Sequence, residues 1–164
     1  MSQVNDEVAV IAETPVVTTN VADFDLSSLS VATNVVEDAI RVPVIFNSDG
    51  EERAGFLIHP DGKNSSLYRK EKHNLRVSGL HKSAKRTTRL SAETEEGAEV
   101  LASLLETNEF RLANSVVVGW FGFSDNGVKA EFDKTRATQL LKDRPTWVEI
   151  ISEKLDVEAN FIKG

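Results

Sequence analysis

The chain of 164 residues contains no cysteine. That excludes disulfides, thiolate nucleophiles and cysteine-ligated metals, and it suits a reducing cytoplasm. Lysine and arginine are missing from the first 40 residues, which instead carry Asp6, Glu7, Glu13, Asp23, Asp25, Glu37 and Asp38. No stretch approaches the roughly 18 consecutive apolar residues of a membrane-spanning helix. The start lacks a basic segment followed by an apolar run, so no secretory signal is expected there. A phosphate-cradling glycine loop and a Gly-x-Ser-x-Gly elbow are also lacking. In Gly119-Trp120-Phe121-Gly122, aromatic rings stand where a nucleotide loop needs backbone amides and a lysine.

Histidine is scarce, and the three present do not make a site. His59, His73 and His81 fall on an expected strand end, a helix and a loop, without the i, i+4 pairing of a metal centre. Each reads as a surface or half-buried structural side chain. His59-Pro60-Asp61 offers two donors and nothing to complete them. Glu93, Glu95 and Glu96 stabilise the positive end of a helix without any catalytic duty. The expectation is a protein that is not an enzyme and uses no metal or cofactor.

Hydrophobic residues make up 40% of the chain, enough for one core in a domain of this length. The net charge is −7, and the first 40 residues account for all of it. Residues 69–89 then concentrate Arg69, Lys70, Lys72, Arg76, Lys82, Lys85, Arg86 and Arg89 against the single acid Glu71. The chain therefore reads as an acidic arm, a basic patch and a neutral body. Simple electrostatics would bring arm to patch, on the same subunit or on another. Such a patch also admits non-specific phosphate contacts by a small nucleic-acid-binding regulator. Only Tyr68, at its edge, offers a ring for stacking, and the acidic arm opposes a polyanion. Nucleic acid is not the expected partner, and no membrane contact is expected.

Residues 1–22 mix Val, Thr, Ala and acids with no helical stripe, which predicts an extended or disordered arm. Its valines suit addition to the sheet edge of a partner. Phe24-Asp25-Leu26-Ser27-Ser28-Leu29 reads as a short docking element. A hairpin is expected over about 41–59, with Asp49-Gly50 at its turn and Pro43 on an edge strand. Ser65 caps a helix over about 66–78, stopped by Gly79, with a loop over 80–90. Ser91 caps a longer helix over about 91–118, broken near Thr107-Asn108. Asn126-Gly127 supplies the positive φ angles of a tight turn. Asp133 caps a helix over 134–142, and Pro145-Thr146 opens another over about 146–155. Strand alternation places Trp120 with Gly122, and Phe121 with Phe123.

The resulting fold class is α+β: an N-terminal β-hairpin packed on a small helical domain, with the arm over 1–22 and a single domain over 23–164. Trp120, Phe121, Phe123, Trp147 and Phe161 are the candidate fold or interface anchors. The eight cations of 69–89 form the electrostatic patch.

The order of these parts resembles the tail assembly chaperones of long-tailed phages and their small relatives. The resemblance covers roughly residues 24–162. It rests on Phe24 to Leu29 before a strand pair, Ser65-Ser66-Leu67-Tyr68-Arg69-Lys70, and Leu90-Ser91-Ala92-Glu93. It continues through Val118-Gly119-Trp120-Phe121-Gly122, an acid-Gly turn, Phe132 to Arg136, Leu140-Leu141, Pro145-x-Trp147 and Ala159-Asn160-Phe161. It implies a morphogenesis protein that binds tape-measure and tube subunits in the host cell cytoplasm during assembly and leaves before the particle is finished. It supplies no catalytic residues. The valine-rich arm resembles the subunit-linking arms of virion proteins, which implies the alternative of a capsid decoration, neck or tail component retained in the virion. Partners are thus phage tail or other virion proteins, with a homo-oligomer also admitted.

Overall fold

A computed structural model describes residues 35–86 and 89–161. The acidic arm over 1–22, the element at Phe24–Leu29 and the terminal Ile162 lie outside them. The fold is α+β, with a three-stranded antiparallel sheet in the order β1-β2-β3 and four α-helices among the described residues.

Strands β1 (Ile40–Phe46) and β2 (Glu52–Ile58) form the expected hairpin. Its turn is held by Asn47, whose Oδ1 accepts from the amides of Asp49 at 3.0 Å and Glu51 at 2.8 Å. Gly50 takes the left-handed conformation at φ 80° that closes it. Pro43 lies on the edge strand, next to an irregularity in register between Pro43 and Ile45. The third strand, β3 (Val117–Phe121), pairs with β2, so a two-stranded hairpin was too small an expectation.

Helix α1 runs from Ser66 to Lys85, correcting the expected stop at Gly79 and the loop over 80–90. Ser65 caps it as expected, accepting from the Tyr68 amide at 3.1 Å. One interior glycine costs only about 1 kcal/mol relative to alanine, and Leu80, Lys82, Ala84 and Lys85 beyond it are good helix formers. Helix α2 covers Glu95–Ser115 and is capped by Thr94, not Ser91. The Thr94 hydroxyl oxygen accepts from the Gly97 amide at 3.1 Å, while Ser91 accepts from the Glu93 amide one turn earlier. No break occurs at Thr107-Asn108: the Thr107 hydroxyl donates back to the Ser103 carbonyl at 2.9 Å and the ladder continues. α2 also ends before 118, because Val117 and Val118 are β-branched and find a pairing partner in β2.

Beyond β3, β4 (Ser124–Asp125) and β5 (Val128–Lys129) make a small hairpin. Asn126 at φ 48° and Gly127 at φ 82° supply the two consecutive positive angles expected of its turn. Helix α3 (Lys134–Asp143) begins at Asp133, which accepts from the Thr135 amide at 2.9 Å. Helix α4 (Pro145–Asp156) begins with its proline where a missing amide costs nothing.

One face of the sheet is the core face. Val42 opposes Phe56, and Phe56 opposes Trp120, across the three strands. Leu141 of α3, Ile151 and Leu155 of α4, and Ala113 and Val116 at the end of α2 close over that face. Phe56, Ile58, Leu141, Ile151, Val42 and Val116 are fully buried, each contributing about 1.5–3 kcal/mol by leaving water.

Candidate interaction surface on the helical hairpin

The five aromatic candidates divide by what they touch. Trp120 is buried, and its Nε1 donates to the Ala130 carbonyl at 2.9 Å. Its ring meets Phe123 at 5.3 Å and Phe132 at 5.4 Å, both edge-on. Phe56 joins Phe123 at 5.7 Å and Trp147 at 5.8 Å. These contacts make Trp120, Phe123 and Trp147 one packed aromatic cluster, with pairs worth about 0.5–1.5 kcal/mol each beyond their area. Phe123 thus faces the same side as Trp120, contrary to simple alternation. The reason is Gly122: β3 has ended, and φ of 77° at the glycine turns the next side chain back to the core. Phe121 stays on the other face of the sheet, half-buried beneath the Arg41 guanidinium, which stands 3.8 Å from the ring centroid. Phe161 packs on the β2–α1 connection: a Cβ at Gly62 would lie 2.7 Å from its ring. Lys63 in that connection pairs with Asp156 at the end of α4 at 2.5 Å.

The basic patch is gathered onto one element. Arg69, Lys70, Lys72, Arg76, Lys82 and Lys85 lie on α1, Arg86 is its C-cap, and Arg89 follows; all eight are exposed. None of them forms an ion pair among the described residues. Helix α1 meets α2 through a stripe of Tyr68, Glu71, Leu75 and Ser78, anchored by the Arg111 to Glu71 bond at 2.5 Å. From Gly79 to Lys85 every residue of α1 is exposed. On α2, Gly97 is the single buried residue before Ala113. The two helices form an antiparallel hairpin whose far half has left the core. Val77, Leu80 at 67% and Leu105 at 70% exposure lie on it in water. Its charge is segregated: cations crowd α1, while Glu95, Glu96, Glu99, Glu106 and Glu109 occupy α2.

At the base of the hairpin, a groove of about 620 Å³ opens between α2 and the α3–α4 junction. Phe110, Leu141, Pro145 and Val148 give it an apolar floor, and Glu106 and Lys142 stand on its rim. Such a lining binds apolar side chains; it does not activate a nucleophile.

The histidines do not converge. His59 is buried, with its amide donating to the Val116 carbonyl at 2.8 Å and its Nδ1 accepting from the Asp61 amide at 3.1 Å. It ties β2 to the end of α2. His73 and His81 are exposed on α1. Among the described residues, no group of three His, Asp or Glu stands close enough to hold a metal ion. No described helix is long and apolar enough to cross a membrane.

One polar residue went unnoticed in the sequence. Lys134, the first residue of α3, reaches back to the end of α2, where its Nζ donates to the Asn114 carbonyl and to the Val117 carbonyl at 2.9 Å. The residue is largely exposed along its stem, but the ammonium is tucked among backbone, and that burial pushes its pKa down to about 8. α2 has no basic residue in its own last turn, so α3 supplies the cation. A lone lysine at a helix start carries no sequence signal of this role.

No family model, no curated protein and no solved structure matches the chain.

Proposed function

We propose that this chain is a non-enzymatic assembly protein of the phage tail assembly chaperone kind, which binds tape-measure and tube subunits reversibly through the α1–α2 hairpin. The observation that carries the reading is the far half of that hairpin. Val77, Leu80 and Leu105 are presented to water on helices of opposite charge, in a molecule whose other large side chains are mostly packed. A surface of apolar anchors ringed by complementary charge favours reversible protein binding. The nearby groove, with its apolar floor, suits a side chain of the same partner. Nucleic acid is the weaker reading, because the one tyrosine beside the cations is buried and offers no ring for stacking.

Quantitative mass spectrometry of infected cells and of purified, DNA-filled particles tests the proposal. The protein should be abundant in cells, co-purify with tape-measure and tube subunits, and be undetectable in particles. A fixed copy number per particle would overturn it in favour of a virion component. Replacing Leu80 and Leu105 with glutamate should abolish co-purification while leaving the fold intact.

A further inference from the structure

Eight cations over 69–89 without a partner among the described residues leave α1 self-repelling. Lys72 and Arg76, and Lys82 and Arg86, stand at i, i+4, where like charges destabilise a helix. On the side away from α2, Arg69, Arg76 and Leu80 follow one another at helical spacing, with Val77 beside them. The face therefore asks for an occupant that is acidic and apolar together.

The chain carries such a segment. Asp23-Phe24-Asp25-Leu26-Ser27-Ser28-Leu29 combines two carboxylates with three large apolar side chains, and no Lys or Arg precedes Arg41. It enters the fold beside the base of α1, because Ile40 pairs with Ile58, shortly before Ser66 opens the helix. Leu80 lies about 21 Å along the helix from Ser66 at 1.5 Å per residue. An extended chain covers that distance in about six or seven residues. Counted back from Val35, this places residues 28 and 29 level with Leu80.

We infer that residues 23–29 dock along the outward face of α1 in the same chain. Their carboxylates meet Arg69 and Arg76, and their apolar side chains cover Val77 and Leu80. A tether this short gives an effective concentration in the millimolar range, which favours the chain's own segment over that of a second copy. The contact belongs to the free protein and holds whichever partner the hairpin binds.

The absence of cysteine makes the test clean. In the full-length chain, Ser27→Cys is combined with Ala84→Cys on α1, or with Gln139→Cys on α3 as the control. Each is oxidised in dilute solution, and the disulfide is read by mass spectrometry. The Ser27–Ala84 pair should close within one chain about five-fold faster than the control or more, because docking raises the local concentration. Adding Asp23→Lys and Asp25→Lys should erase the advantage, as should salt near 0.5 M. Equal closure rates for the two pairs would overturn the inference. So would a disulfide that forms chiefly between two chains, which would assign the segment to a second copy.

Discussion

Helix α4 buries Val148, Ile151 and Leu155 at i, i+3 and i+7 against the sheet, whereas α1, nearly twice as long, buries only Tyr68. Both are well-formed helices with defined starts. They differ in what holds them. α4 owes its place to packing, so its sequence is constrained by the shape of the core. The far half of α1 is held by local helix propensity and by its neighbour α2, so its outward residues are free to be chosen for another surface. A region built from side chains already in contact has little to offer a partner. The hairpin has Val77, Leu80 and a row of cations to offer, and that contrast locates function on it.

The largest expected effect tests the packed side. Trp120→Ala should cost about 3–5 kcal/mol, through the lost ring contacts and the cavity left behind. Leu80→Ala on the hairpin should cost less than about 0.5 kcal/mol, as an exposed truncation does. Urea denaturation of both variants reads the difference. Similar costs would mean that Leu80 is already covered in the free protein by something substantial, and would dissolve the comparison.

A second substitution sharpens where the packed region ends. At Gly62, φ is 50° and a side chain would meet the Phe161 ring. Gly62→Ala should therefore cost about 1–3 kcal/mol in strain and displacement. Combining it with Phe161→Ala relieves the collision, so the pair should cost less than the sum of the two single changes. Strict additivity would show that Phe161 does not close over the β2–α1 connection.

The hairpin side is tested in the opposite direction. Gly79 sits inside α1 where an added Cβ meets nothing within 4 Å. Gly79→Ala should stabilise the protein by about 0.5–1 kcal/mol by lowering the entropy of the unfolded chain. A destabilising result would mean that α1 bends or opens at Gly79.

These same positions show how far the sequence could be read. The β1–β2 hairpin, the Ser65 and Asp133 caps, the Pro145 start and the Asn126-Gly127 turn follow from signals that act within a few residues, and each is found where expected. The errors arise where a distant partner decides. Val117 and Val118 extend a helical pattern by sequence but pair with β2 instead. Phe123 follows Phe121 by alternation but turns to Trp120 once Gly122 ends the strand. Gly79 looked like a stop because a glycine is a common terminator; no local bond competes with the helix there, so the helix runs on. The cation cluster was legible as composition, and its confinement to the exposed face of one helix was not.

The smallest expected effect lies at the seam between the two regions, where Lys134 of the packed α3 caps the end of the hairpin helix α2. Burial lowers its pKa from an ordinary 10.5 to about 8 in the folded protein. Between those two pH values the unfolded chain holds the proton more often than the folded one, so raising the pH through this window favours folding. The penalty for burying the charged ammonium is present in full below pH 8 and relieved above 10.5. Other groups titrate in the same range, so the informative quantity is the stability difference between the protein and its Lys134→Met variant, followed across the window. That difference should move in favour of lysine as the pH rises, because methionine contributes no proton to either state. The carbonyls of Asn114 and Val117, together with the negative end of α2, pull the other way by holding the charged form. A flat difference would mean that they win. The join between body and hairpin would then be a charged cap, secure throughout neutral and mildly alkaline solution, and not a desolvated lysine that seats better once it has lost its proton.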